Sequence, residues 1–398
     1  MTKKKPQIRF EGFADDWEQR KVGDVITEVS RPIEMNDDQL YQLVTVKRRN
    51  EGIVSRGFFY GKEILVKNYY EIHAGDYLIS KRQLVHGANG QVPENLDRSI
   101  VSNEYMACIG NEMLTAEFLT LLSKTVNLKR DFFLSSYGVD IEKLVFDVND
   151  WKKRSLVLPK IEEQKAICGF FANLDNLITL NQRKYDKLQN IKKSMLEKMF
   201  PKNGQKKPEI RFAGFTDDWE QRKLGDLGTI QTCKRIFKEQ TSDEGEIPFF
   251  KNGTIGLEAD AFISRDLFEE FKRLYPYPEV GDILISAVGS VGRTAEYTGK
   301  DEYFQDSNVV WLKTDGSVEK KYLKVFYQVI DWLIEGSTVK HLYNDNILRS
   351  TIVMPKDKVE QKKIGLFFEQ FDNLITLHQR KLEKLQNIKK SMLDKMFV

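Results

Sequence analysis

Residues 163–200 and 360–397 are near-copies of one long amphipathic segment, and they constrain the fold of this chain more than any other feature. From Asp175 to Phe200, 22 of 26 positions are identical to the copy 197 residues later. Unrelated surface helices have no reason to match so closely. The same structural task is therefore performed twice. The rest of the chain repeats as well: KKPQIRFEGFADDWEQRKVGD (4–24) returns as KKPEIRFAGFTDDWEQRKLGD (206–226), GDYLIS (75–80) as GDILIS (281–286), and Ser102-Asn103 as Ser307-Asn308. The order is globule, helix, globule, helix, with a period of about 200 residues that is far too long for a solenoid repeat.

The helix copies follow Pro159 and Pro355, which stand where a helix can begin but not continue. With Ile167 as position a of a heptad, the expected packing residues are Ile167, Phe170, Leu174, Leu177, Asn181 and Leu188, and in the copy Ile364, Phe367, Phe371, Leu374, His378 and Leu385. Lys184 and Lys198 interrupt the d sites, and there Tyr185 and Met199 at e take the apolar role. Such drift predicts a loosely supercoiled pair rather than a long zipper. Each helix is expected to be roughly 57 Å long at 1.5 Å per residue. Antiparallel packing is favoured over parallel because it separates the two globules, related by an approximate two-fold axis. It also predicts that Asn181 and His378, equivalent and near mid-helix, approach each other. The basic second half of each helix complements its dipole and needs no DNA contact to explain it.

Between these landmarks the halves diverge. Residues 40–60 (LYQLVTVKRRNEGIVSRGFFY) read as two strands around an Asn50-Glu51-Gly52 turn, whereas IPFFKNGTIGL (247–257) shares little with them. One scaffold thus presents two different inserts. Residues 76–81 and 282–287 read as buried strands, and 115–135 and 317–335 as helical. The expected fold is α+β: two mixed α/β globules at 1–158 and 209–354, helices at 159–200 and 355–398, and a Pro/Gly-containing linker at 201–208.

Composition excludes several functions. No apolar run reaches the roughly 18 residues of a membrane span, and MTKKKP has no apolar stretch behind it, so no membrane association is expected. Cys108, Cys168 and Cys233 lack CxxC spacing, which points to a reducing cytoplasm and away from structural zinc. There is no GxxxxGK[ST] loop, no HExxH and no Asn/Asp-Pro-Pro-aromatic sequence, so no catalytic residue, metal ligand or cofactor site is nominated in this chain. The net charge of +3 means that any nucleic-acid contact must rest on local patches.

Such patches follow the corresponding strands. Lys47, Arg48 and Arg49 lie at a strand end, and Lys81, Arg82, Gln83, His86, Asn89 and Gln91 in and beyond a loop. The second half offers Lys234, Arg235, Lys251, Asn252, Ser290 and Arg293. Arg and Lys donate to guanine O6 and N7, and Gln and Asn pair with adenine. Any one of them alone is more often an ordinary surface charge, and it is their grouping after corresponding strands in both halves that marks the loop as a unit.

Taken together, the DDWEQRK openings (15–21 and 217–223), the GDxLIS strands and the Glu-Gln helix starts after Pro159 and Pro355 make the whole chain resemble the specificity subunit of type I restriction-modification enzymes. The resemblance implies two target-recognition domains, each reading half of an asymmetric bipartite site in double-stranded DNA, with the helices fixing the gap. It implies docking of two methylation subunits that carry S-adenosylmethionine, and of motor-nuclease subunits that use ATP. The rival reading is a coiled-coil adaptor that scaffolds partners without reading DNA.

Overall fold

The computed structural model describes residues 5–398 except 203, 290 and 307. The chain divides into two compact units, one formed by Met1–Asn181 with Lys381–Val398 and the other by Gln182–Arg380. Sequence order predicts each helix as a segment of its own. Instead, each long helix, Ile161–Lys198 and Lys358–Lys395, contributes one half to each unit.

The first unit holds two four-stranded sheets. One orders Ile26–Val29, Tyr105–Gly110, Tyr77–Ser80 and Asn89–Gln91, all antiparallel. The other orders Ile53–Tyr60, Leu40–Val46, Ser99–Ser102 and Tyr69–Ile72. The predicted hairpin is present, with Arg49, Asn50 and Gly52 at positive φ in its turn. All four residues of Tyr77–Ser80 are buried, as expected for a central strand. Helices Ala116–Leu122 and Val126–Leu134 are capped by the Thr115 and Thr125 hydroxyls, which accept from the backbone N–H three residues on.

The repeated motifs prove to be joints. Trp17 is buried against Phe118 and Phe397, and Glu18–Lys21 pairs with Ser155–Leu158. The Glu-Gln pair at the helix start is buried and fully used. Arg9 donates to both oxygens of Glu163 at 2.6 and 2.7 Å, while Gln164 donates to the carbonyls of Met113 and Pro159 and accepts from Thr115 N–H. Gly75 and Asp76 shape the turn into the strand, Gly75 at φ 90° and Asp76 accepting from His73 N–H and Arg31.

The second unit repeats this construction. Its main sheet orders Gly228–Thr232, Val309–Thr314, Ile283–Ser286 and Thr294–Glu296, the same connectivity as the first. Trp219 packs on Phe200 and Tyr322, Arg211 grips Glu360 at 2.6 and 2.8 Å, and Gln361 accepts from Glu319 N–H and donates to Pro355. The variable part differs. It has a helix at Arg265–Leu274 that the sequence reading missed, and its smaller sheet has short strands, Phe262–Ile263, Ile247–Phe250 and Tyr303–Phe304. The helix expected over 317–335 stops at Phe326. Beyond it the chain is irregular and is held by Asn346, which donates to Leu333 O and to the Glu335 carboxylate.

Within each unit the helix halves run antiparallel. In the first, Ile167, Phe171 and Leu174 share a core with Leu385, Ile388, Met392 and Met396, and Lys389 pairs with Asp175. In the second, Met195 and Met199 share a core with Ile364 and Phe368, and Lys192 pairs with Asp372 at 2.5 Å. The seam corrects the expected heptad. The a sites Ile167, Leu174, Asn181 and Ile364 are buried, but the alternate positions are e rather than d: Phe171, Ile178 and Tyr185, and in the copy Phe368, Ile375 and Leu382. Phe170 and Phe367 sit at the edge, and Leu177 and Leu374 are 43% and 44% exposed. Lys192 and Lys389 fall on this a/e seam, where the aspartates accept their charge. Asn181 is buried and donates to Leu177 O.

Candidate nucleic-acid interface

In the first unit three segments meet. The hairpin turn docks on the loop after Tyr77–Ser80 through Arg49 N–H to His86 O at 2.7 Å and Asn50 N–H to Gly87 O at 2.9 Å. Gly87 is required there: at φ 79°, an added Cβ would stand 2.9 Å from Asn50 Oδ1. Arg48 Nε donates to Gln83 Oε1 at 2.8 Å, and its Nη2 reaches Glu142 at 3.0 Å. Glu142 belongs to the third segment, 138–143, and its other oxygen lies 3.5 Å from His86 Nε2.

The candidates therefore separate. Arg48, Arg49, Gln83 and His86 come together, with exposed Lys47 beside them. Lys81 is turned to Asn103 O, and Arg82 is paired with Glu104. Asn89 is 1% exposed and accepts from the Tyr77 hydroxyl at 2.8 Å, so it supports the loop from behind and does not face a ligand. Gln91 pairs with Tyr77, two residues further along the strand from the loop.

The second unit brings together the equivalent three segments with different chemistry. The Asn252 side chain donates to Val288 O and accepts from Ser286 Oγ at 2.6 Å, and its backbone N–H donates to Gln305 Oε1 at 3.0 Å. Arg293 donates to Gly253 O at 3.0 Å. The segment 336–341 closes the cluster through Gly289 N–H to Lys340 O and Leu342 N–H to Ala287 O. Arg235 joins at the rim through Asp306, next to Gln305. Lys251 pairs with Asp260, and Lys234 sits over the Tyr275 ring. Ser290 lies outside the described residues.

Charge is distributed unevenly over these groups. Arg48, Arg82, Arg235 and Lys251 already hold carboxylate partners, whereas Lys47, Arg49 and Arg293 form no ion pair among the described residues.

The third segments, 138–143 and 336–341, were not singled out from sequence. A signal for them exists: Gly138 and Leu144 recur as Gly336 and Leu342, 198 residues later, both leucines buried. The glycine is structural, since at Gly336 (φ 94°) a Cβ would fall 2.2 Å from Val339 O. The described residues hold no group of His, Cys, Asp and Glu able to bind a metal ion, and no helix among them is long and apolar enough to cross a membrane.

One frame is thus built twice, and each copy holds a divergent polar surface and half of each repeated long helix. The chain belongs to the type I restriction modification DNA specificity domain family, whose profile matches residues 14–190 and 216–387. It is similar to the type I restriction enzyme MjaVIII specificity subunit of Methanocaldococcus jannaschii, 23% identical over 96% of this chain and 92% of that one. A putative type I restriction enzyme specificity subunit of Haemophilus influenzae is 48% identical over 154 residues, which are 38% of this chain and 40% of that relative. Among solved structures, the type I restriction-modification S subunit of M. genitalium shares the fold with a TM-score of 0.63 at 12% identity, over 99% of both chains.

Proposed function

We propose that each unit reads one half of an asymmetric bipartite site in double-stranded DNA, and that the chain directs methylation and motor-nuclease subunits to that site. The observation that carries this reading is the three-segment surface, built twice at equivalent positions of one frame with unlike side chains. Arg48, Gln83 and Glu142 on one unit, and Asn252, Arg293 and Lys340 on the other, present different donor and acceptor patterns. Different patterns on a common scaffold suit two different half-sites.

The helix pair supplies the second part of the function. Leu177, Leu180, Leu374 and Leu377 lie on the helix surface away from the seam, 43% to 59% exposed, and supply an apolar surface for two methylation subunits. The lengths of the two helices set the gap between half-sites. No chemistry is assigned to this chain: S-adenosylmethionine and ATP belong to the partners, and adenine is flipped into the methylation subunit. An adaptor that only scaffolds partners would use the leucines and leave the loops idle.

The experiment is a gel shift with the complex reconstituted from this chain and its methylation subunit, on a duplex carrying the site methylated in cells and on a scrambled duplex. Recognition predicts a salt-dependent preference for the methylated motif of at least about 1000-fold. Assembly of the complex with equal affinity for both duplexes would establish the adaptor reading instead.

A further inference from the structure

Arg48 is held at two points along one edge. Its Nε–H is taken by Gln83 and one Nη2–H by Glu142, at 2.8 and 3.0 Å, out of the five N–H donors a guanidinium carries. The side chain remains 52% exposed, and its Nη1 donors and second Nη2 hydrogen hold no partner among the described residues. An unrestrained surface arginine samples many rotamers and serves a phosphate as well as a base. One fixed along an edge presents its remaining donors as a fork of set direction, the geometry that matches guanine O6 and N7.

The platform under this fork is itself fixed. Arg49 stands at φ 60° with its N–H bonded to His86 O, Asn50 N–H bonds Gly87 O, and the Asn50 side chain donates to Ser123 Oγ. The residue of the second unit equivalent to Glu142, 198 positions on, is Lys340. The carboxylate clamp therefore belongs to the first unit alone.

We propose that Glu142 is a positioning residue that, with Gln83, fixes Arg48 to read a guanine in the half-site of the first unit. This inference rests on the reading of that unit as a DNA-recognition domain. Glu142 touches no base in it and acts through Arg48. Because the ion pair is exposed on both sides, its loss leaves the fold intact.

The test uses the full chain co-expressed with its methylation subunit in cells free of other adenine methylation, with the methylated motif read by single-molecule sequencing. Wild type, Glu142→Ala, Glu142→Gln and Arg48→Ala are compared, and binding of each purified complex is measured on duplexes carrying each of the four bases at the guanine position. Glu142→Ala is expected to lower discrimination for guanine about tenfold, within the range one bidentate contact supplies, and Arg48→Ala to lower it at the same position. Glu142→Gln keeps an acceptor and retains most of the discrimination, and the second half of the motif stays unchanged in all four. An unchanged base profile in Glu142→Ala, an equal loss on all four bases, or a wild-type first half without a guanine sensitive to Arg48 overturns the inference while leaving the bipartite reading intact. A wild-type complex that methylates no bipartite motif overturns both.

Discussion

The end of the second helix and the residues just after it complete the core of the first unit, and Phe397 is where this can be measured. Phe397 is 8% exposed, with ring centroids 6.3 Å from Trp17, 5.7 Å from Phe118 and 6.2 Å from Phe171. Truncating a buried phenylalanine to alanine costs about 3–5 kcal/mol, and a ring that is not fully enclosed belongs at the lower limit. A cost of about 3 kcal/mol corresponds to roughly a hundredfold rise in the open population at 1.36 kcal/mol per decade. Hydrogen exchange on the full chain reads this locally. In Phe397→Ala, protection in the helix Ala116–Leu122 is expected to fall about a hundredfold, while Lys320–Phe326 in the second unit keeps its protection. Phe200→Ala, at the equivalent joint with Trp219 and Tyr322, is expected to do the reverse. Unchanged protection of the first helix in Phe397→Ala, or equal loosening of both, refutes the reasoning.

Two further outcomes follow from buried chemistry. Glu163→Ala strips Arg9 of its bidentate partner at a site where the carboxylate is 1% exposed, and should lower stability by about 3 kcal/mol in urea unfolding, with Glu360→Ala matching it through Arg211; a cost under about 1 kcal/mol, the level of an exposed pair, would count against the joint. Burial pushes the thiols of Cys108, Cys168 and Cys233 up to about 12, so at pH 8 iodoacetamide should leave all three unmodified in the folded protein and label them in guanidinium. Mass spectrometry of the folded protein showing a labelled cysteine contradicts this.

Much of the architecture was legible because the chain states it twice. Trp17 and Trp219, Glu163-Gln164 and Glu360-Gln361, and the GDxLIS strands recur since each is a joint whose partners also recur. The heptad was harder. Apolar residues stand at both d and e, as in Phe170-Phe171 and Leu177-Ile178, and sequence alone does not say which faces the partner helix. The structure selects e, accepting Lys192 and Lys389 on the seam because Asp372 and Asp175 lie opposite. The interface was only partly legible for a different reason. Arg48, Gln83 and Glu142 are far apart in sequence, and Asn89 looks like a base reader until the strand is seen to bury it. Glu142 has no local signature, and only the recurrence of Gly138 and Leu144 could have drawn attention to its loop.

The central claim is that the two units read DNA independently. Exchanging residues 26–150 for those of another such subunit, and sequencing the methylated motif in cells that also express the methylation subunit, tests it most directly. One half of the motif is expected to change while the other half and the gap between them are retained. Alteration of both halves, or a motif unchanged by the exchange, contradicts it.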